Sequence, residues 1–112
     1  MGIEQPARLS LCLAADVPVG TMRRFDVPGA GFVALYNVGG DFYATADTCT
    51  HSAASLTEGD LDEDFVICPV HFGMFHVPTG EAQGFPVTED LRTYAVEVED
   101  GVVYVVTVRD PA

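Results

Sequence analysis

The stretch Tyr94-Ala95-Val96-Glu97-Val98-Glu99-Asp100-Gly101-Val102-Val103-Tyr104-Val105-Val106-Thr107-Val108 decides the fold class of this chain. In Ala95 to Glu99 the polarity alternates with a period of two, which puts valines on one face and glutamates on the other, as in a half-buried strand. Val102 to Val108 is a second β-rich run. A two-residue Asp-Gly connection between two such runs is the strongest short-range hairpin signal, because both turn positions need left-handed backbone that Asp and Gly tolerate.

Working outward, Arg8 to Leu13, Thr21 to Val27, Gly31 to Val38, Asp41 to Ala46 and Phe65 to Cys68 are also short and rich in Val, Phe, Tyr and Leu. Gly39-Gly40-Asp41 predicts a second hairpin, and Val17-Pro18-Val19-Gly20 and Pro28-Gly29-Ala30-Gly31 predict turns. No segment has the spacing of a long amphipathic helix. The expected class is all-β, a small antiparallel sandwich or barrel. The 112 residues suit one domain spanning 1–112, with no repeat or linker.

Five Lys plus Arg against seventeen Asp plus Glu give a formal charge of -12. Such a chain repels phosphate backbones and anionic lipid, so neither nucleic acid nor membrane is an expected partner. No apolar run approaches the roughly 18 to 20 residues that cross a bilayer. Met1 to Pro6 has no basic stretch followed by an apolar one, so a cytoplasmic location is expected. An acidic surface suits rapid, salt-sensitive docking on basic partners, and equally suits plain solubility.

Two stretches resist assignment as strands and read as long loops, 48–64 and 69–86. Together they place Cys49-Thr50-His51 and Cys68-Pro69-Val70-His71 on paired loops, the pattern C-x-H, sixteen residues, C-x-x-H. Two thiolates and two imidazoles can hold Zn²⁺, or a [2Fe-2S] cluster with cysteines on one iron and histidines on the other. Structural zinc knuckles usually space their cysteines two to four residues apart, so C-x-H is a poor start for one. A two-iron cluster lets each loop give its cysteine to one iron and its histidine to the other.

Cys49-Thr50-His51 and Cys68-Pro69-Val70-His71-Phe72-Gly73 resemble the two loops of the Rieske [2Fe-2S] family. Over most of its length the chain is similar to the small Rieske ferredoxins of bacterial aromatic-ring-hydroxylating dioxygenase systems. The resemblance implies a Rieske-like β base carrying a cluster-binding subdomain at about 47–86. It implies one [2Fe-2S] cluster, with Cys49 and Cys68 on the inner iron and His51 and His71 on the outer one. It implies an electron carrier rather than an enzyme, taking electrons from an FAD-dependent NADH:ferredoxin reductase and passing them to a terminal Rieske non-haem-iron oxygenase, with transient docking near His51 and His71. The alternatives are a small Rieske subunit of a nitrite reductase or another oxidoreductase, and a zinc-binding β module serving interactions.

His76 matches no ligand position of the family and is expected to be an ordinary strand residue. Cys12, in the apolar run from Leu9 to Ala15, is expected to pack as a small hydrophobe. Respiratory members of the family add a disulfide-linked cysteine to each loop, and a serine and tyrosine that hydrogen-bond the cluster sulfurs. Here Ala54 and Val70 stand in place of those cysteines, and Phe72-Gly73-Met74 lacks the second-loop serine. Fewer donors leave more electron density on sulfur, which implies a potential near the low end for Rieske centres, about -150 mV. Gly73 is expected to allow a close backbone approach, Gly80 and Gly84 a sharply turning cover loop, and Pro86 to stiffen that loop.

Overall fold

The computed structural model describes residues 6–50, 52–70, 72–84 and 87–108. His51, His71 and Pro86 lie outside the described residues.

Six strands form one antiparallel sheet that curls into a nearly closed barrel: β1 (Pro6–Leu13), β2 (Met22–Val27), β3 (Gly31–Val38), β4 (Asp41–Ala46), β8 (Thr93–Glu99) and β9 (Val102–Val108), in the order β1-β9-β8-β4-β3-β2. Between β4 and β8 a smaller sheet is inserted, β5 (Asp60–Asp62), β6 (Phe65–Ile67) and β7 (Met74–His76), in sequence order. The all-β class expected from the sequence is the class found.

The closing hairpin follows its turn chemistry. Asp100 at φ 53° and Gly101 at φ 76° are both left-handed, as a twist-matched two-residue turn requires. They bring Glu99 opposite Val102 and Val96 opposite Val105. Val103 and Val105 point into the barrel and are buried, while Glu97 and Glu99 share the outer face and both meet Arg8 of β1, at 3.2 and 2.8 Å. Arg8 also lies 3.8 Å from the centre of the Tyr104 ring. The pairing of β1 with β9 shifts register between Ser10 and Cys12, a bulge that leaves Leu11 without a partner. Cys12 is half-buried there and packs with the barrel core, as expected of a small apolar side chain.

β3 is the wall between two cores. Val33 to Asn37 are all buried, and the two-residue period of a strand sends alternate side chains to opposite faces. Val33 and Leu35 face Val17, Val27, Ala44, Val103 and Val105 inside the barrel. Ala34 and Tyr36 face Leu56, Val66, Phe75, Val77 and Val87, together with Cys49 and Cys68. This double burial explains why the segment reads as one unbroken apolar run.

The inserted sheet departs from the sequence expectation, which left 48–64 and 69–86 as loops. The Asp60-Leu61-Asp62 stretch pairs with Phe65–Ile67 through a turn in which Glu63 adopts φ 54°. Its acids are poor β formers, but Leu61 is half-buried between two exposed aspartates, so a short alternation was present. Met74–His76 pairs with β6 on the other side. His76 is the strand residue expected of it: its Nε2 meets Asp64 Oδ2 at 2.9 Å, its Nδ1 meets Thr79 Oγ1 at 2.9 Å, and its ring leans on Phe65.

Candidate metal centre

The two cysteines arrive from different loops and end side by side. Cys49 follows β4 and opens a tight loop closed by its own N–H, which donates to the Ala54 carbonyl at 3.0 Å. Cys68 follows β6, and its N–H donates across the second loop to the Gly73 carbonyl at 2.7 Å. Both side chains are buried and unbridged, and both belong to one buried core cluster. Two sulfurs converging in this way form half of the donor set that the sequence put forward. The positions of His51 and His71, the other half, fall outside the described residues.

Donors converge on Cys68 Sγ. The Val70 N–H reaches it at 3.4 Å, and Ser52 Oγ lies 3.9 Å away. Burial pushes the Cys68 thiol above its ordinary pKa, the Cys49 thiol adds to that rise, and the Val70 N–H and Ser52 hydroxyl oppose it. A metal binds the thiolate, and these donors favour that form. The donor set therefore fits a soft, sulfur-ligated metal.

Buried polar contacts fix the first loop from below. Asp47, two residues before Cys49, is buried. One carboxylate oxygen accepts from both the N–H and the hydroxyl of Thr57 at 3.0 Å, and the other accepts from the Ser55 hydroxyl. Its own carbonyl accepts from the Leu56 N–H at 2.8 Å. Above, the Thr50 hydroxyl donates to the Glu89 carbonyl at 2.8 Å and ties the first loop to the segment that follows β7. Sequence reasoning missed Asp47 and Ser52; a polar residue flanking each side of the C-x-H triplet was the available signal.

Gly80 turns the covering segment as expected, and the close neighbour of Gly73 is a side chain. Gly80 at φ 76° lets its N–H donate to the His76 carbonyl at 2.6 Å while its carbonyl accepts from Leu91, folding the covering segment back. Gly73 is required because Val87 packs against it: a Cβ there would stand 2.5 Å from Val87 Cγ1. The rim of the second loop is apolar and open. Phe72 holds φ 57°, a conformation rarely adopted by an aromatic residue, and is 76% exposed; Val70 beside it is also exposed.

Residues 7–95 match the Rieske [2Fe-2S] domain family. This chain belongs to the Rieske [2Fe-2S] family. The cofactor of that family is one [2Fe-2S] cluster, and the paired buried cysteines fit it. Among similar proteins is the ferredoxin CarAc of Metapseudomonas resinovorans, 50% identical over 97 residues, 87% of this chain and 91% of the relative. The 3-phenylpropionate/cinnamic acid dioxygenase ferredoxin subunit of Escherichia coli K12 is 43% identical over 99 residues, 88% of this chain and 92% of that one. A solved complex of reduced oxygenase and oxidized ferredoxin in carbazole 1,9a-dioxygenase contains a chain that superimposes with a TM-score of 0.83 at 50% identity, covering 87% of this Rieske chain and 99% of that one. Each of these relatives is named as a ferredoxin or contains one, and two of the three names place it with a dioxygenase.

Proposed function

We propose that Cys49 and Cys68 hold one iron of the cluster, that His51 and His71 hold the other, and that the chain carries single electrons to a terminal ring-hydroxylating oxygenase. The observation that carries this reading is that the two buried cysteines, arriving from separate loops, meet in one core cluster. When bound, the cluster accepts and releases one electron at a potential of about -150 mV.

The chain's own residues account for the rest. Neutral imidazoles on one side and thiolates on the other make the histidine side the cheaper place for added charge. The Val70 N–H, aimed at Cys68 Sγ, offsets part of the negative charge that reduction adds to the cluster as a whole. Asp47 and Thr50 hold the first loop from below and above, so little rearrangement accompanies a change of charge. Phe72 and Val70 form an exposed apolar rim on the second loop, against which an oxygenase docks; the acids of 58–64 steer basic surfaces toward it. The donor is an FAD-dependent, NADH-oxidising reductase, and the chain works as a single cytoplasmic domain over 1–112.

The test is reconstitution with a flavoprotein reductase and an oxygenase from the same cell. Wild-type protein should support NADH-dependent substrate hydroxylation. Phe72→Ala should keep its visible spectrum and potential while the KM for the carrier rises several-fold. A tight, non-dissociating complex with another oxidoreductase, and no transfer to an oxygenase, would contradict the reading.

A further inference from the structure

Ser52 directly follows the C-x-H triplet, and its hydroxyl lies within hydrogen-bond reach of the second loop. The Ala54 N–H donates to Ser52 Oγ at 3.4 Å, which occupies an acceptor site on that oxygen and leaves its proton free to donate. Cys68 Sγ lies 3.9 Å from Ser52 Oγ, at the long end of the range for a hydrogen bond to sulfur. The same sulfur takes the Val70 N–H from the opposite loop. One ligand-type sulfur thus has a donor from each loop, and one of these is a side chain that a single substitution removes. The sequence showed no hydroxyl in the second loop; the first loop supplies one across the gap.

We infer that the Ser52 hydroxyl is a tuning residue for the cluster: it donates to Cys68 Sγ, withdraws electron density from that thiolate, and raises the reduction potential above what the backbone donors alone would give. The inference rests on Cys68 being a cluster ligand. A hydrogen bond donated to a ligand thiolate offsets part of the negative charge that reduction adds to the cluster as a whole, so it favours the reduced form. Removing it favours the oxidised form. A purely structural Ser52, serving only the turn with Ala54, would affect folding and leave the potential alone.

The experiment is a redox titration of wild-type, Ser52→Ala and Ser52→Thr proteins, each first assayed for iron. Ser52→Ala should titrate at a more negative potential with its iron content retained, and Ser52→Thr, which keeps the hydroxyl, should return toward the wild-type value. If Ser52→Ala does not load iron, Ser52→Cys replaces it; its weaker S–H donor should give a smaller shift of the same sign. Full iron with an unchanged potential in the variant that lacks the hydroxyl would overturn this inference alone. Absence of iron from the wild type would remove the ligand assignment and this inference with it.

Discussion

Gly73 lies so close to Val87 that a Cβ on Gly73 would stand 2.5 Å from Val87 Cγ1. Gly73 closes the second loop by accepting from the Cys68 N–H, and Val87 is a fully buried part of the covering segment. Gly73→Ala should therefore cost about 1–3 kcal/mol by overpacking. Val87→Ala should cost a similar amount by leaving a cavity. Because each change relieves the other, the double variant should be more stable than the sum of the two losses implies, by about 0.5–3 kcal/mol. Chemical denaturation of the four proteins measures this; simple additivity would show that the two residues do not share one site.

Asp47 anchors the first loop by satisfying the N–H and hydroxyl of Thr57 and the hydroxyl of Ser55. Asp47→Ala should lower stability by about 2–4 kcal/mol, since it strands these donors in a buried place. Asp47→Asn retains an acceptor oxygen and should lose less. Denaturation midpoints in urea, read with visible absorbance, should show cluster loss coinciding with unfolding in the alanine variant.

Tyr36 is buried at the wall between the two cores, where its hydroxyl and the Thr45 hydroxyl share a hydrogen bond at 2.8 Å. Burial pushes the phenol well above its ordinary pKa; the hydrogen bond to Thr45 opposes that and nearby Asp47 adds to it. The folded chain thus keeps a proton that the unfolded chain gives up above pH of about 10. Stability from this group is whole below that pH and falls as pH rises through it. Tyr36→Phe should cost about 1 kcal/mol at neutral pH and flatten the alkaline decline. Stability curves at pH 8 to 11 compare the two, and equal alkaline slopes would show that Tyr36 titrates as freely as in the unfolded chain.

His71→Cys tests the charge argument for the outer iron. An anionic ligand there adds negative charge beside the site of reduction, so the cluster-bearing fraction should titrate at a more negative potential than the wild type. A rise in potential would contradict that argument.

The barrel was legible because its signals are local. Asp100-Gly101 and Gly39-Gly40 announce hairpins within a few residues, and both appear where the sequence puts them. The family was legible because two cysteine-histidine pairs with this spacing have few other uses. The second sheet was hidden because Asp60-Leu61-Asp62 gains its strand character from pairing with Phe65–Ile67, which local propensity does not report. The roles of Asp47 and Ser52 were hidden for a related reason: their partners lie eight to sixteen residues away and meet only after both loops close.

The most direct measurement is iron and acid-labile sulfide analysis of freshly purified protein, joined to nitrogen ENDOR of the dithionite-reduced sample with ¹⁵N-labelled histidine. Two irons and two sulfides per chain, with couplings from two imidazole nitrogens that fall to one in His71→Cys, are the predicted result. Colourless protein lacking sulfide, or a cluster with no histidine nitrogen coupled to it, would contradict the account.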